Sequence, residues 1–166
     1  MDTNRKSIMK KIILFDWGDT LMRDFPNQTG KMYTWQKVEA MPNSINVLKE
    51  LFLSFDCYVA TNAKESNKED ILKALRRVGL DKYFKGIFCY REIGYEKSSE
   101  KYFNTIIEKL AVSVTSITMV GDNLKLDIEG AQNAGINAIL YDPDGKYPNF
   151  SGNKIDDLLM IKKYEL

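Results

Sequence analysis

The sequence predicts an α/β fold, one domain built on a central, mostly parallel sheet of five strands with helices on both faces. Three observations predict it. Short apolar runs of strand length alternate with stretches of helical period along the whole chain. The runs are rich in Ile, Val and Phe and are not alternating, as expected of parallel strands buried on both faces. Several of them end in, or lead into, a carboxylate, a hydroxyl or a lysine, and open α/β sheets place their chemistry at strand carboxyl ends.

Residues 1–10 read as a polar lead-in. The first strand is Ile12-Ile13-Leu14-Phe15, running into Asp16 and broken by Gly18-Asp19-Thr20. Residues 22–41 keep no clear period and carry the turn signals Pro26, Asn27 and Gly30; Tyr33 and Trp35 anchor them by packing. A helix starts at Pro42-Asn43-Ser44 and keeps its period through Ile45, Leu48, Leu51, Phe52 and Phe55. The second strand, Cys57 to Ala60, ends at Thr61-Asn62. Ser66-x-x-Glu69 reads as a capping box, followed by an apolar helical face at Ile71, Leu72, Leu75 and Val78 and a glycine stop at Gly79. Gly86 to Tyr90 is the third strand, and Gly94-Tyr95-Glu96-Lys97 a loop. Tyr102, Phe103, Ile106, Ile107 and Leu110 mark the next helix. Ile117 to Val120 is the fourth strand, ending at Gly121-Asp122; the helix behind it stops near Ala134-Gly135. Ala138 to Tyr141 is the fifth strand, Asp142-Pro143-Asp144-Gly145 a turn, and Ile155 to about Lys163 a final helix.

The 166 residues fit one domain with at most a small insertion. A formal net charge of +1 gives no electrostatic case for nucleic acid or an anionic membrane. The chain has no histidine, which excludes Ser-His triads, histidine acid–base catalysis and His-ligated metals. Cys57 and Cys89 lie in apolar runs and read as inert buried thiols. No apolar stretch is long enough to span a membrane, and the run after the first lysines is too short for a signal peptide, so a cytoplasmic location is expected. No Gly-x-Gly-x-x-Gly or P-loop pattern occurs.

In a parallel sheet with strands about 4.8 Å apart, Asp16, Thr61, Lys97, Asp122 and Asp127 can converge on one edge. Taken singly, each has a plain reading: an Asx turn, a strand threonine, a solvated lysine, a first-turn helix acid. Taken together, clustered carboxylates repel unless a hard divalent cation sits among them, and Mg²⁺ favours carboxylate oxygen. A carboxylate nucleophile, Mg²⁺, a hydroxyl and a lysine form a coherent set for phosphoryl transfer.

Phe15-Asp16-Trp17-Gly18-Asp19-Thr20-Leu21, then Thr61-Asn62, then Lys97, then Val120-Gly121-Asp122 with Asp127 resembles the four-motif series of the haloacid dehalogenase (HAD) superfamily. The resemblance runs from about residue 10 to 141 and is most specific over Met119 to Gly135. It implies a three-layer α/β/α, Rossmann-like fold and a Mg²⁺-dependent phosphatase acting on a phosphorylated substrate, small or macromolecular. Asp16 is then the nucleophile that forms an aspartyl-phosphate. Thr61, Asn62 and Lys97 bind the phosphoryl group. Asp16, the Gly18 carbonyl, Asp122 and Asp127 serve the metal, Asp127 as ligand or as partner to one.

Two departures from that pattern matter. The residue two after the nucleophile is usually a second aspartate that protonates the leaving oxygen; here it is Gly18. Asp19 is one residue further on and is a candidate proton donor, as is a bound water. General acid–base help is worth about 10²–10⁴-fold, so alkyl phosphates should suffer more than aryl or acyl phosphates. The second departure is that residues 22–41 leave no room for a large cap, only for a minimal lid. Superfamily dehalogenases also lack the second aspartate, but they need no metal, and the pair Asp122 and Asp127 argues for one. A signalling receiver domain places its acids differently along the strands. The remaining rival is a HAD-like binding or scaffold module that has lost turnover through Gly18. The oligomeric state is left open between monomer and homo-oligomer.

Overall fold

The computed structural model describes residues 10–166. The lead-in expected over residues 1–10 lies, apart from Lys10, outside the described residues. The chain forms a three-layer α/β/α sandwich. Its sheet contains β1 (Ile12–Phe15), β2 (Asp56–Ala60), β3 (Gly86–Phe88), β4 (Ile117–Gly121), β5 (Asn137–Tyr141) and β6 (Lys154–Ile155). The strand order is β3-β2-β1-β4-β5-β6, and every pairing is parallel. β1 lies between β2 and β4 and is buried throughout. Its side chains alternate between two cores. Ile13 and Phe15 join the apolar cluster on one face, and Ile12 and Leu14 the cluster on the other. This two-sided burial is why the strand reads as a continuous apolar run.

The sheet has six strands where five were expected. The extra strand is short: Lys154 and Ile155 pair with Leu140 and Tyr141, and Ile155 was read as the start of a final helix. With a single apolar residue, Ile155, it carries no period to detect. The helix after it is a 3₁₀ segment, Leu158–Lys163, started by the Asp157 side chain, which accepts from Leu159 N–H at 2.9 Å.

The main helices are α1 (Ser44–Leu51), α2 (Lys68–Arg77), the one-turn α3 (Tyr90–Ile93), α4 (Glu100–Leu110) and α5 (Gly130–Asn133). The capping box of α2 lies one residue later than Ser66-x-x-Glu69. Asn67 accepts from Asp70 N–H at 2.9 Å, and Asp70 accepts from Asn67 N–H at 3.1 Å. Asp70 is also held by Lys31 at 2.7 Å, a long-range partner that favours this register over the adjacent one. Tyr90, read as the end of the third strand, opens α3 instead, and Gly94 closes it with φ +80°. α5 continues a π-helical turn, Leu124–Glu129, that follows β4.

Residues 22–41 form a narrow flap. Its ends are pinned together by the antiparallel bridge of Met22 with Ala40 and by Arg23 N–H donating to Glu39 O. A 3₁₀ turn, Met32–Thr34, packs Met32 and Trp35 inward. The Arg77 guanidinium of α2 donates to the carbonyls of Tyr33 and Trp35. Among the described residues no helix is long and apolar enough to cross a membrane. Both cysteines are buried and unpaired with each other, and burial pushes the Cys57 thiol up to about 12.

Candidate active site

The parallel ladder delivers the first functional residues. Asp16 follows β1, and its N–H donates to Val120 O at 2.9 Å, so the β1–β4 pairing fixes its backbone one residue past the strand. Thr61 follows β2 in the same way, its N–H donating to Phe88 O at 2.9 Å. The hydroxyl of Tyr102 on α4 lies 3.1 Å from Thr61 O and 3.0 Å from Phe88 O, locking the β2 and β3 ends together. Burial raises the Tyr102 phenol well above its usual range, so it stays a neutral donor.

Lys97 enters from the loop between α3 and α4. Its backbone N–H donates to Asn62 Oδ1 at 2.9 Å, so Asn62 orients the lysine loop with one amide end. The ammonium is buried and lies 2.7 Å from both Asp16 Oδ1 and Asp127 Oδ1. Burial opposes that charge, but the Asp127 and Asp16 carboxylates outweigh it and hold Lys97 above the ordinary lysine range.

Asp127 stands on the π-helical turn. Its Oδ2 accepts from Asn123 N–H at 3.0 Å, and Asn123 Oδ1 in turn accepts from Leu126 N–H at 2.9 Å. A Cβ at Gly121 would fall 2.2 Å from Asp127 Oδ2, so β4 must end in glycine for this carboxylate to lie over it. The Thr20 hydroxyl lies 3.3 Å from Asp16 Oδ2 and 3.2 Å from Asp122 Oδ1, spanning the β1 and β4 ends.

Asp16, Asp122 and Asp127 each place one oxygen within 4.8 Å of the others. One ammonium against three carboxylates leaves the cluster under-compensated. Burial and the Asp16 charge push both Asp122 and Asp127 above the usual carboxylate range. An all-oxygen donor set with less positive than negative charge fits a hard divalent cation such as Mg²⁺. Asp122 is the freer candidate ligand, because both Asp127 oxygens already accept hydrogen bonds. Gly18 borders the same cavity, and its carbonyl takes no part in the backbone hydrogen bonds of the turn after β1.

The cavity over these groups has a volume of about 550 Å³. The flap walls it with Asp24, Gln28, Met32 and Trp35, and the loop after β2 with Thr61, Asn62, Lys64 and Glu65. Trp17 and Trp35 are both buried and both line it, so Trp35 does more than the packing expected of it. The Trp35 indole N–H lies within hydrogen-bond reach of the carbonyls of Thr29 and Gly30.

The structure thus brings Asp16, Thr61, Asn62, Lys97, Asp122 and Asp127 to one edge. Asp19 lines the cavity as well, but in a left-handed turn with φ +59°, where its Oδ1 accepts from Asp24 N–H at 2.9 Å. Sequence reasoning missed Thr20, Asn123 and Asp24. Thr20 was legible as the hydroxyl of the Gly-Asp-Thr break and Asn123 as a helix-start residue. Asp24 had no local signal: the flap brings it in. Burial, with the charges of Asp19 and Asp16, raises the Asp24 carboxyl above its usual range.

The sequence matches the haloacid dehalogenase-like hydrolase family over residues 1–141. It is 29% identical over 134 residues to the HAD-hydrolase YfnB of Bacillus subtilis (strain 168), covering 76% of this chain and 56% of that one. It is also 29% identical over 121 residues to the pyrimidine 5'-nucleotidase PynA of Streptococcus pneumoniae, covering 72% of this chain and 50% of the relative. The chain thus spans about half the length of the curated relatives it matches. Among solved structures, a Listeria monocytogenes serotype 4b protein superposes with a TM-score of 0.78 at 26% identity, covering 92% of this chain and 95% of that one. The magnesium-bound crystal structure of YfnB superposes at 0.75 with 20% identity, covering 93% and 97%. Motif order, strand order and the family match agree, and the chain belongs to the haloacid dehalogenase-like hydrolases.

Proposed function

We propose that this chain is a Mg²⁺-dependent phosphatase that works through an aspartyl-phosphate on Asp16. The observation that carries the reading is the Asp16–Lys97–Asp127 arrangement at 2.7 Å, with Asp122 beside it at the ends of β1 and β4. An Asp16 carboxylate oxygen attacks phosphorus as the bond to the leaving oxygen breaks. Water then attacks the same phosphorus, releasing inorganic phosphate and restoring the carboxylate. Lys97 pins Asp16 and offsets the repulsion between two anions. The Thr61 hydroxyl accepts from Ala63 N–H at 3.2 Å, which leaves its own proton free for a phosphoryl oxygen. Mg²⁺, when bound by Asp16, Asp122 and the Gly18 carbonyl with Asp127 behind them, supplies charge neutralisation for the transferring group.

Relatives suggest the substrate class. They include the pyrimidine 5'-nucleotidase, a ribulose-1,5-bisphosphate 5-phosphatase of Halopiger xanaduensis and a glyceraldehyde 3-phosphate phosphatase of Methanopyrus kandleri. Each name describes a phosphate on a primary alkyl carbon. A phosphomonoester of that kind, small enough for the cavity or presented by a larger molecule, is the proposed substrate.

The test is p-nitrophenyl phosphate hydrolysis with Mg²⁺ and with chelator, on the wild type and on D16N. Turnover that needs both Mg²⁺ and Asp16 is expected. A folded protein that binds Mg²⁺ without turnover would instead support the binding or scaffold reading, which the bare Gly18 favours.

A further inference from the structure

An alkyl phosphate poses a problem that the groups assigned so far do not solve. An alkoxide is a poor leaving group and needs a proton as its bond to phosphorus breaks. Asp16 is the nucleophile, Lys97 is paired to Asp16 and Asp127, and Asp122 faces the metal position. Gly18 has no side chain. Asp19 commits Oδ1 to the backbone of Asp24.

A Cβ at Gly18 would lie 3.5 Å from Asp24 Cβ, 3.6 Å from its Oδ2 and 3.8 Å from its Cγ, and these are the three nearest atoms it would meet. The Asp24 carboxylate therefore stands in contact distance of where a side chain at position 18 would begin. It borders the cavity, and among the described residues it forms no hydrogen bond or ion pair. Its placement is fixed through its backbone: the Asp24 N–H is held by Asp19 Oδ1, and the flap ends are bridged through Met22 and Ala40. Glu65 is the other acidic residue of the cavity outside these groups, but it belongs to the loop after β2, on the side of Thr61.

We propose that Asp24, reaching in from the flap, is the proton-transfer residue of this site and takes the place left by Gly18. The proposal rests on the phosphatase reading above. In the first step Asp24 gives its proton to the leaving oxygen while that oxygen's bond to phosphorus breaks and the Asp16–phosphorus bond forms. In the second step the Asp24 carboxylate takes a proton from water while the water oxygen bonds to phosphorus and the Asp16–phosphorus bond breaks. The sum is ester plus water giving alcohol plus inorganic phosphate, with Asp24 protonated again.

The experiment compares wild type, D16N, D24N, E65Q and the double variant G18D/D24N with Mg²⁺, on ribose 5-phosphate and on p-nitrophenyl phosphate. D24N should lose about 10²–10⁴-fold in kcat/KM on the alkyl ester. On the aryl ester its kcat/KM should stay within about threefold while kcat falls, because nitrophenolate leaves unaided and only the water step is slowed. A burst of one nitrophenolate per protein, with phosphorylated protein visible by intact mass, should accompany that split. G18D/D24N should regain at least about tenfold on the alkyl ester, and E65Q should keep the wild-type ratio of the two substrates. An unchanged ratio in D24N, or a ratio that collapses in E65Q instead, overturns the assignment while leaving the phosphatase reading intact. Aryl hydrolysis that does not depend on Asp16 overturns both.

Discussion

At the scale of single residues, the site is decided by what two glycines permit. Gly121 ends β4, and any Cβ there would fall inside the carboxylate of Asp127, 2.2 Å from Oδ2 and 2.4 Å from Cγ. The contact is with a buried, doubly hydrogen-bonded group, so relief means moving Asp127 off Lys97 or bending the strand end. Overpacking of this kind costs about 1–3 kcal/mol. Gly121→Ala should therefore lower the melting temperature by roughly 2–4 °C per kcal/mol for a chain of this size and reduce turnover through the displaced ion pair. A thermal melt paired with aryl phosphatase kinetics checks both, and a G121A protein with wild-type melting and rate would show that Asp127 can shift at no cost. Gly18 works in the opposite sense. A Cβ fits there at ordinary contact distance, so nothing steric demands glycine. Its consequence is the room it leaves beside Asp24. The steric meaning of both positions was not readable in the sequence, because the side chains that give it, Asp24 and Asp127, are six residues further on.

At the scale of elements, the flap separates what the sequence exposes from what it hides. Strands β1, β2, β4 and β5 were legible because burial on both faces imposes an unbroken apolar run. The starts of α1 and α2 were legible to within a residue because turn and cap residues are local chemistry, but α1 stops at Leu51 although its apolar period was read through Phe55, and the last helix starts at Leu158 rather than Ile155. Residues 22–41 carry no period, since their order comes from partners far along the chain. Arg77 holds the Tyr33 and Trp35 carbonyls, and Lys31 pairs with Asp70, both across to α2. Arg77→Ala should loosen the flap without unfolding the sandwich. Faster limited proteolysis between Asp24 and Lys37 is expected, with global stability lowered by about 1–2 kcal/mol at most. Because Asp24 rides on the flap, the alkyl ester should lose more activity than the aryl ester. Equal losses on the two substrates would detach flap order from leaving-group chemistry.

At the scale of the whole molecule, the parallel sheet order brings residues from positions 16 to 127 to one edge, and that convergence was readable from motif order once the strands were placed. The sixth strand and the Asp24 placement were not, because a two-residue pairing and a flap closure leave no pattern in sequence. The edge so assembled stores like charge: Asp16, Asp122 and Asp127 face one another with Lys97 as the single buried cation among them. A cation that binds only the folded state adds stability as RT ln(1 + [L]/Kd), about 2.7 kcal/mol at a hundredfold excess over Kd. Mg²⁺ in place of chelator should therefore raise the melting temperature by roughly 5–10 °C at 2–4 °C per kcal/mol, and D122N should abolish most of that rise. Lys97→Met tests the same balance from the other side. Removing one partner of a buried pair leaves uncompensated charge worth about 3–5 kcal/mol, so this variant should melt well below wild type in chelator. Mg²⁺ then meets a more negative site, so its stabilising shift should be larger in K97M than in wild type. If the shift is instead equal or smaller, the lysine and the metal are not compensating the same carboxylates, and the metal belongs elsewhere on the molecule.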